Sequence, residues 1–162
     1  MVTGAGGEIG HGLLARLAER GRPIVSLDVS RLDPVIARHV IREFTGSITD
    51  KALLERILSE FEVDLVVANV ENATNGRGVS LRHAEEMLSC GVDVMTSGNH
   101  VWDQREIIPY IDGDPRLLRP QNFPKGTPGK GMGVYKTLDG RTVVVMHVML
   151  RLFMDPLDDP FA

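Results

Sequence analysis

Short β-branched runs alternate along this chain with stretches of helical periodicity, and that alternation limits the fold more than any other feature. Ile24 to Asp28, Val40 to Phe44, Leu65 to Ala68 and Val92 to Thr96 read as strands. Between them, Ile9, Leu13, Leu14 and Leu17 share one helical face, and Leu53, Leu54, Ile57, Leu58 and Phe61 share another. A third helix carries Leu81, Ala84 and Leu88. Thr49 or Asp50, and then Ser80, stand where helix N-caps belong, while Gly21 and Gly91 stand where helices stop. Strands separated by helices pair in parallel, so the pattern predicts an α/β fold: a three-layer αβα sandwich with a mostly parallel sheet. The rhythm changes near the end. Met132 to Thr137 and Thr142 to Met149 flank Leu138-Asp139-Gly140-Arg141, which predicts a C-terminal β-hairpin turning at Asp-Gly. A short helix is expected from Glu106 to Ile111. The Pro/Gly-rich stretch from Asp112 to Gly131, with Arg119, Lys125 and Lys130, reads as a long packing or functional loop.

Composition excludes several classes. The 162 residues carry 18 Lys and Arg against 22 Asp and Glu, a net charge of −4, which leaves no basic field for a nucleic-acid duplex. One cysteine, Cys90, rules out an internal disulfide or a cysteine-cluster zinc site, and it is expected to be packed. No apolar run approaches the roughly 20 residues that span a bilayer. The expectation is a soluble cytoplasmic protein without a membrane partner. The chain opens on Met1-Val2-Thr3-Gly4 with almost no strand before a glycine turn. Phe153, Leu157 and Phe161, near its other end, are expected to be exposed and to favour a homo-oligomer.

Two groups of residues carry chemistry. In the first, Gly4, Gly7 and Gly10 punctuate Thr3-Gly4-Ala5-Gly6-Gly7-Glu8-Ile9-Gly10, and Asp28 closes the following strand. Glycines at a strand-to-helix turn let backbone approach a pyrophosphate, and a carboxylate at the end of the second strand accepts from a ribose. With Gly46-Ser47-Ile48-Thr49-Asp50 further on, residues 1–63 resemble the NAD-binding part of the extended short-chain dehydrogenases, the NAD-dependent epimerase and dehydratase relatives. That resemblance implies NAD, a dinucleotide partner, at Gly4, Gly7, Gly10 and Asp28. The family's Tyr-x-x-x-Lys pair is absent: Asp114 and Asp139 stand four places after Tyr110 and Tyr135.

In the second group, Glu71 and Asn72 follow one strand, and Asn99 and His100 follow the next. In a parallel sheet both loops leave at the same edge. A carboxylate, two amides and an imidazole suit a hard or borderline divalent metal such as Mn, Fe or Zn. Read from spacing alone, these side chains fit more readily as loop caps, with His100 packed on Trp102, since Asx residues are ordinary at strand exits. Glu71-Asn72-Ala73, Thr96-Ser97-Gly98-Asn99-His100-Val101-Trp102-Asp103, Leu117-Leu118-Arg119-Pro120 and Phe153-Met154-Asp155-Pro156-Leu157-Asp158 together resemble the YmdB-type, calcineurin-like metallophosphoesterases. The resemblance covers residues 64–162. It implies a dinuclear phosphodiesterase of the 2′,3′-cyclic-nucleotide class acting on a small phosphoester. Glu71, Asn72 and Asn99 would be metal ligands and His100 the acid for the leaving oxygen. Thr3-Gly4 lacks the carboxylate of that family's opening turn, and Val70 and Leu150 stand where it has glycines. That family's later histidine ligands are expected beyond residue 162, and the one downstream histidine, His147, reads as part of an apolar strand, so an incomplete site is expected.

The chain thus reads as two segments, 1–63 and 64–162, sharing one continuous sheet across a seam near Phe61 to Asp64. Three functions stay open: a metal-dependent phosphoesterase-like protein, an NAD(P)-binding oxidoreductase-like fragment, and a folded chimera without catalysis.

Overall fold

Residues 1–21, 23–47 and 49–150 are described by the computed structural model, the side chains of Glu8 and Ile9 excepted. The expected packing of Ile9, the exposure of Phe153, Leu157 and Phe161, and the Phe153-to-Asp158 motif therefore lie outside the described residues. The chain forms two units, Met1–Val63 and Asp64 onward.

In the first unit, β1 (Val2–Thr3), β2 (Val25–Asp28) and β3 (Arg42–Thr45) form a parallel sheet in that order. Its helices are α1 (Glu8–Glu19), α2 (Pro34–Ala37) and α3 (Lys51–Glu60). Strand residues alternate between faces, and two separate cores result. Ile24 packs with Ala5, Leu14 and Leu32, whereas Val25 and Leu27 pack with Phe44 and Ile57. Leu14 is fully buried but Leu13 is 44% exposed, against the expected shared face. Neighbouring helix positions point about 100° apart, and the stripe is filled by Leu14, Leu17 and Ala18. Asp50 caps α3 by accepting the Leu53 N–H at 3.0 Å, while Thr49 turns to the Ser47 hydroxyl. The short α2, capped by Asp33 and begun by Pro34, has too few turns to show periodicity in sequence.

In the second unit, β4 (Val67–Asn69), β5 (Val94–Thr96) and β6 (Leu117–Leu118) pair in parallel in that order. Around them lie α4 (Leu81–Ser89), a 3-10 turn at Asn99–Trp102 and α5 (Ile107–Gly113). Val70, Val79, Ala84, Met95, Val101 and Ile107 are among its buried core residues. β7 (Met132–Lys136) and β8 (Thr142–Met146) form the expected antiparallel hairpin, with Lys136 opposite Thr142 next to the turn. The mixed α/β class, parallel sheets and closing hairpin agree with the sequence pattern.

Among the described residues β3 pairs with β2 and β4 with β5, so each of these ladders lies within one unit. Other details depart from the sequence pattern. β6 lies inside the stretch read as a loop. Within that loop the Arg119 guanidinium donates to the carbonyls of Pro120 (2.7 Å) and Pro128 (3.1 Å) and Asp112 accepts the Gly129 N–H, while Lys125 and Lys130 are exposed. Cys90, expected to be packed, is exposed at the end of α4.

At the end of α5, Asp114 takes two hydrogen bonds from the Arg116 guanidinium, at 2.7 and 2.9 Å, and one from the Tyr110 hydroxyl. Arg116 pulls the Asp114 carboxyl down to about 2, while burial and Asp114 push Tyr110 up to about 12. A depressed carboxylate stabilises the fold above its unfolded pKa and loses that contribution as pH falls through the folded one. Wild type is therefore expected to exceed Asp114→Asn by on the order of 2 kcal/mol at pH 6. That difference should vanish between pH 4 and pH 2, as followed by Trp102 fluorescence in urea titrations.

Candidate functional site

β4 and β5 run in register, Asn69 opposite Thr96, so the segments that follow them leave from one edge of the sheet. Val70 is buried and its N–H donates to the Thr96 carbonyl at 2.8 Å, which carries the pairing one residue past β4. The Asn69 side chain then accepts the Glu71 N–H and donates to the Thr96 hydroxyl. Glu71 is thereby turned over the neighbouring exit. Its carboxyl group lies so close to the α-carbon of buried Gly98 that a β-carbon there would overlap Cδ and both oxygens. The loop closes on itself through the Gly78 N–H, donated to the Glu71 carbonyl, and the Thr74 N–H, donated to the Gly78 carbonyl.

The second exit is the 3-10 turn. Gly78, with φ +69°, presses on it: a β-carbon would stand 2.7 Å from the His100 carbonyl oxygen and 3.5 Å from the Asp103 β-carbon. Gln104 donates to the Arg77 carbonyl at 2.9 Å, and Val101 anchors the turn in the core. His100 Nδ1 lies 2.9 Å from Asp103 Oδ2. The neighbouring Trp102 meets Phe123 edge-on at 6.0 Å between ring centroids. The loop carrying Glu71 and the turn carrying Asn99 and His100 are thus packed together.

Among the described residues, the Glu71 carboxylate and the Asn72 and Asn99 amides receive or donate no side-chain hydrogen bond, and no cationic side chain pairs with Glu71. Asn72 and Asn99 are exposed and Glu71 half-buried. A carboxylate that has no side-chain partner among the described residues, with two likewise uncommitted amides on the same two loops, is a donor set that fits a hard or borderline divalent cation. Among the described residues no group of three His, Cys, Asp or Glu side chains gathers to hold a metal. His147 follows the end of β8. Burial lowers its pKa, and the Glu71 charge opposes that shift. Asp103, Gly78 and Gly98 are not singled out by sequence alone. The available signal for Asp103 is its spacing, three residues after His100.

The first group of residues occupies the other unit. Gly4 donates to the Leu27 carbonyl, Gly7 to the Gly4 carbonyl, and Gly10 packs on Gly4 and Ala5. Asp28 accepts the Gly6 N–H at 2.9 Å and the Ser30 N–H at 3.1 Å, and these bonds depress its pKa, Gly6 foremost. The carboxylate thus closes the glycine turn.

Residues 43–162 match the YmdB-like protein family. A 2′,3′-cyclic-nucleotide 2′-phosphodiesterase of Bacillus subtilis (strain 168) is 39% identical over 111 residues, 68% of this chain and 42% of that protein. The crystal structure of a hypothetical protein from Thermus thermophilus aligns with a TM-score of 0.61 at 40% identity, covering 68% of this chain and 43% of that one. A novel phosphatase from Mycoplasma pneumoniae aligns with a TM-score of 0.59 at 29% identity, covering 68% and 41%. The chain spans less than half the length of these relatives. The family match begins at Glu43, so all but the first residue of β3 and the whole of α3, read as the end of a dehydrogenase-like half, lie inside it. The short-chain dehydrogenase resemblance, with its NAD and epimerase readings, gains no support from these similarities. No described helix is long and apolar enough to cross a membrane. With most of its length matched, the chain belongs to the YmdB-like protein family.

Proposed function

We propose that this chain carries part of a divalent-metal phosphodiesterase site, in which Glu71, Asn72 and Asn99 hold a metal ion and His100 serves as the acid. The observation that carries this reading is the Glu71 carboxylate, unpaired among the described residues and seated against Gly98, at the sheet edge from which Asn99 and His100 leave. The substrate class is a small phosphodiester. The name of the Bacillus subtilis relative makes a 2′,3′-cyclic nucleotide the first to try. A divalent ion at this place supplies Lewis-acid polarisation of a phosphoryl oxygen. The protein's own part is separate from that. Glu71 contributes negative charge that draws the cation, Asn72 and Asn99 orient neutral oxygens, and protonated His100 gives a proton to the ester oxygen as it leaves.

Mn²⁺ is expected to raise the Tm of the wild-type chain, because a ligand of the native state stabilises by about 2.7 kcal/mol at a concentration 100 times its Kd. Glu71→Gln keeps the shape, removes the charge and is expected to erase that rise. Cleavage of bis-p-nitrophenyl phosphate and of a 2′,3′-cyclic nucleotide, each with Mn²⁺, tests turnover separately. A Tm rise with NAD⁺ and none with Mn²⁺ would move the assignment to Gly4, Gly7, Gly10 and Asp28. Binding of Mn²⁺ with no cleavage leaves a metal-binding protein without catalysis.

A further inference from the structure

We propose that Asp103 is a positioning residue for His100: it holds the neutral imidazole in the tautomer that carries its proton on Nδ1, leaving Nε2 as the nitrogen that exchanges protons. The proposal gives detail to the His100 role inferred above and takes its functional meaning from that reading, but its geometry stands by itself. A 3-10 turn eclipses residues three apart, so Asp103 falls directly over His100. The side chains meet at 2.9 Å through Nδ1 and Oδ2, and the Asp103 N–H also donates to the His100 carbonyl at 3.1 Å. The turn cannot swing away freely. Gly78 packs on both residues, Gln104 is bonded to Arg77, and Val101 is fully buried beneath.

An ionised carboxylate only accepts hydrogen bonds, so the neutral imidazole facing it must place its hydrogen on Nδ1. The two side chains are 31% and 34% exposed, ordered by the turn yet open to a small ligand. In the proton transfer, the Nε2–H bond breaks as an O–H bond forms on the leaving oxygen, and the electron pair stays on Nε2. The product imidazole is the Nδ1–H tautomer, the form the Asp103 contact already favours. Asp103 takes no proton in this step.

The test is the tautomer itself, read by long-range proton–nitrogen correlation NMR on the ¹⁵N-histidine-labelled, metal-free chain at alkaline pH. His100→Gln assigns the His100 signals among the five histidines. Wild type is expected to show a proton-bearing Nδ1 and an unprotonated Nε2 at His100. Asp103→Ala is expected to shift His100 to the Nε2–H form that predominates in free histidine. Asp103→Asn, which keeps an acceptor oxygen, is expected to retain the wild-type pattern. An Nε2–H signature in wild type, or an unchanged tautomer in Asp103→Ala, overturns the proposal. The wild-type spectrum decides even if a variant does not fold. Failure of Mn²⁺ binding or of turnover beside the expected spectrum removes the phosphodiesterase reading and leaves the Asp103 assignment standing.

Discussion

Gly98→Ala is expected to abolish the Mn²⁺-dependent rise in Tm and, without metal, to cost about 1–3 kcal/mol of stability. The added methyl would occupy the space now filled by the Glu71 carboxyl group, so one of the two must move. Gly98 is buried just past the end of β5, which leaves the backbone little room to yield. Glu71 is held by backbone on either side, through the Val70 N–H and its own carbonyl. The relief available is rotation of the Glu71 side chain, which removes the charged ligand. Gly12→Ala provides the contrast. Gly12 lies within α1 with nothing within 4 Å of where the new methyl would stand, and alanine there is expected to stabilise by about 0.5–1 kcal/mol. Thermal melts of both variants with and without Mn²⁺ make the comparison. A Gly98→Ala protein that keeps its metal response would separate Glu71 from metal binding.

Leu117→Ala is expected to destabilise the second unit by about 2–5 kcal/mol, the range for deleting a leucine side chain from a packed core. Leu117 is fully buried, pairs with Met95 across the β5–β6 ladder and lies within the same core as Val101 and Ile111. Trp102 is the chain's single tryptophan and packs against that core, so its fluorescence in urea follows this unit by itself. A change in midpoint equivalent to less than about 1 kcal/mol would mean that the surrounding residues collapse into the space left by the leucine.

Much of the architecture could be read in advance because local and tertiary demands coincide. Ser80 caps α4 through the His83 N–H, Asp50 caps α3, and the Asp-Gly pair turns the hairpin, each through a bond made within a few residues. The pairing of Glu71 and Asn72 with Asn99 and His100 at one edge followed from parallel strands. The details missed depend on distant partners. Leu117 and Leu118 are too short a run to show a period among prolines and glycines, and their extended state comes from β5. Gly98 acquires its constraint from a carboxylate 27 residues earlier in the chain. Leu13 and Leu14 are chemically identical neighbours, and only the placement of the sheet decides which is covered. Asp28, read as a ribose acceptor from its place at the end of a strand, also accepts the backbone N–H groups of Gly6 and Ser30, contacts that its spacing does not announce.

The exposed Cys90 has a practical chemical consequence. As the sole thiol, it has no partner in its own chain, so oxidation to a disulfide can only join two molecules or attach a small thiol. A covalent dimer on a non-reducing gel would then record storage history rather than recognition. The same chemistry makes Cys90 a single-site handle: one maleimide dye per molecule, fixed at the end of α4, on the unit that carries Glu71, Asn99 and His100.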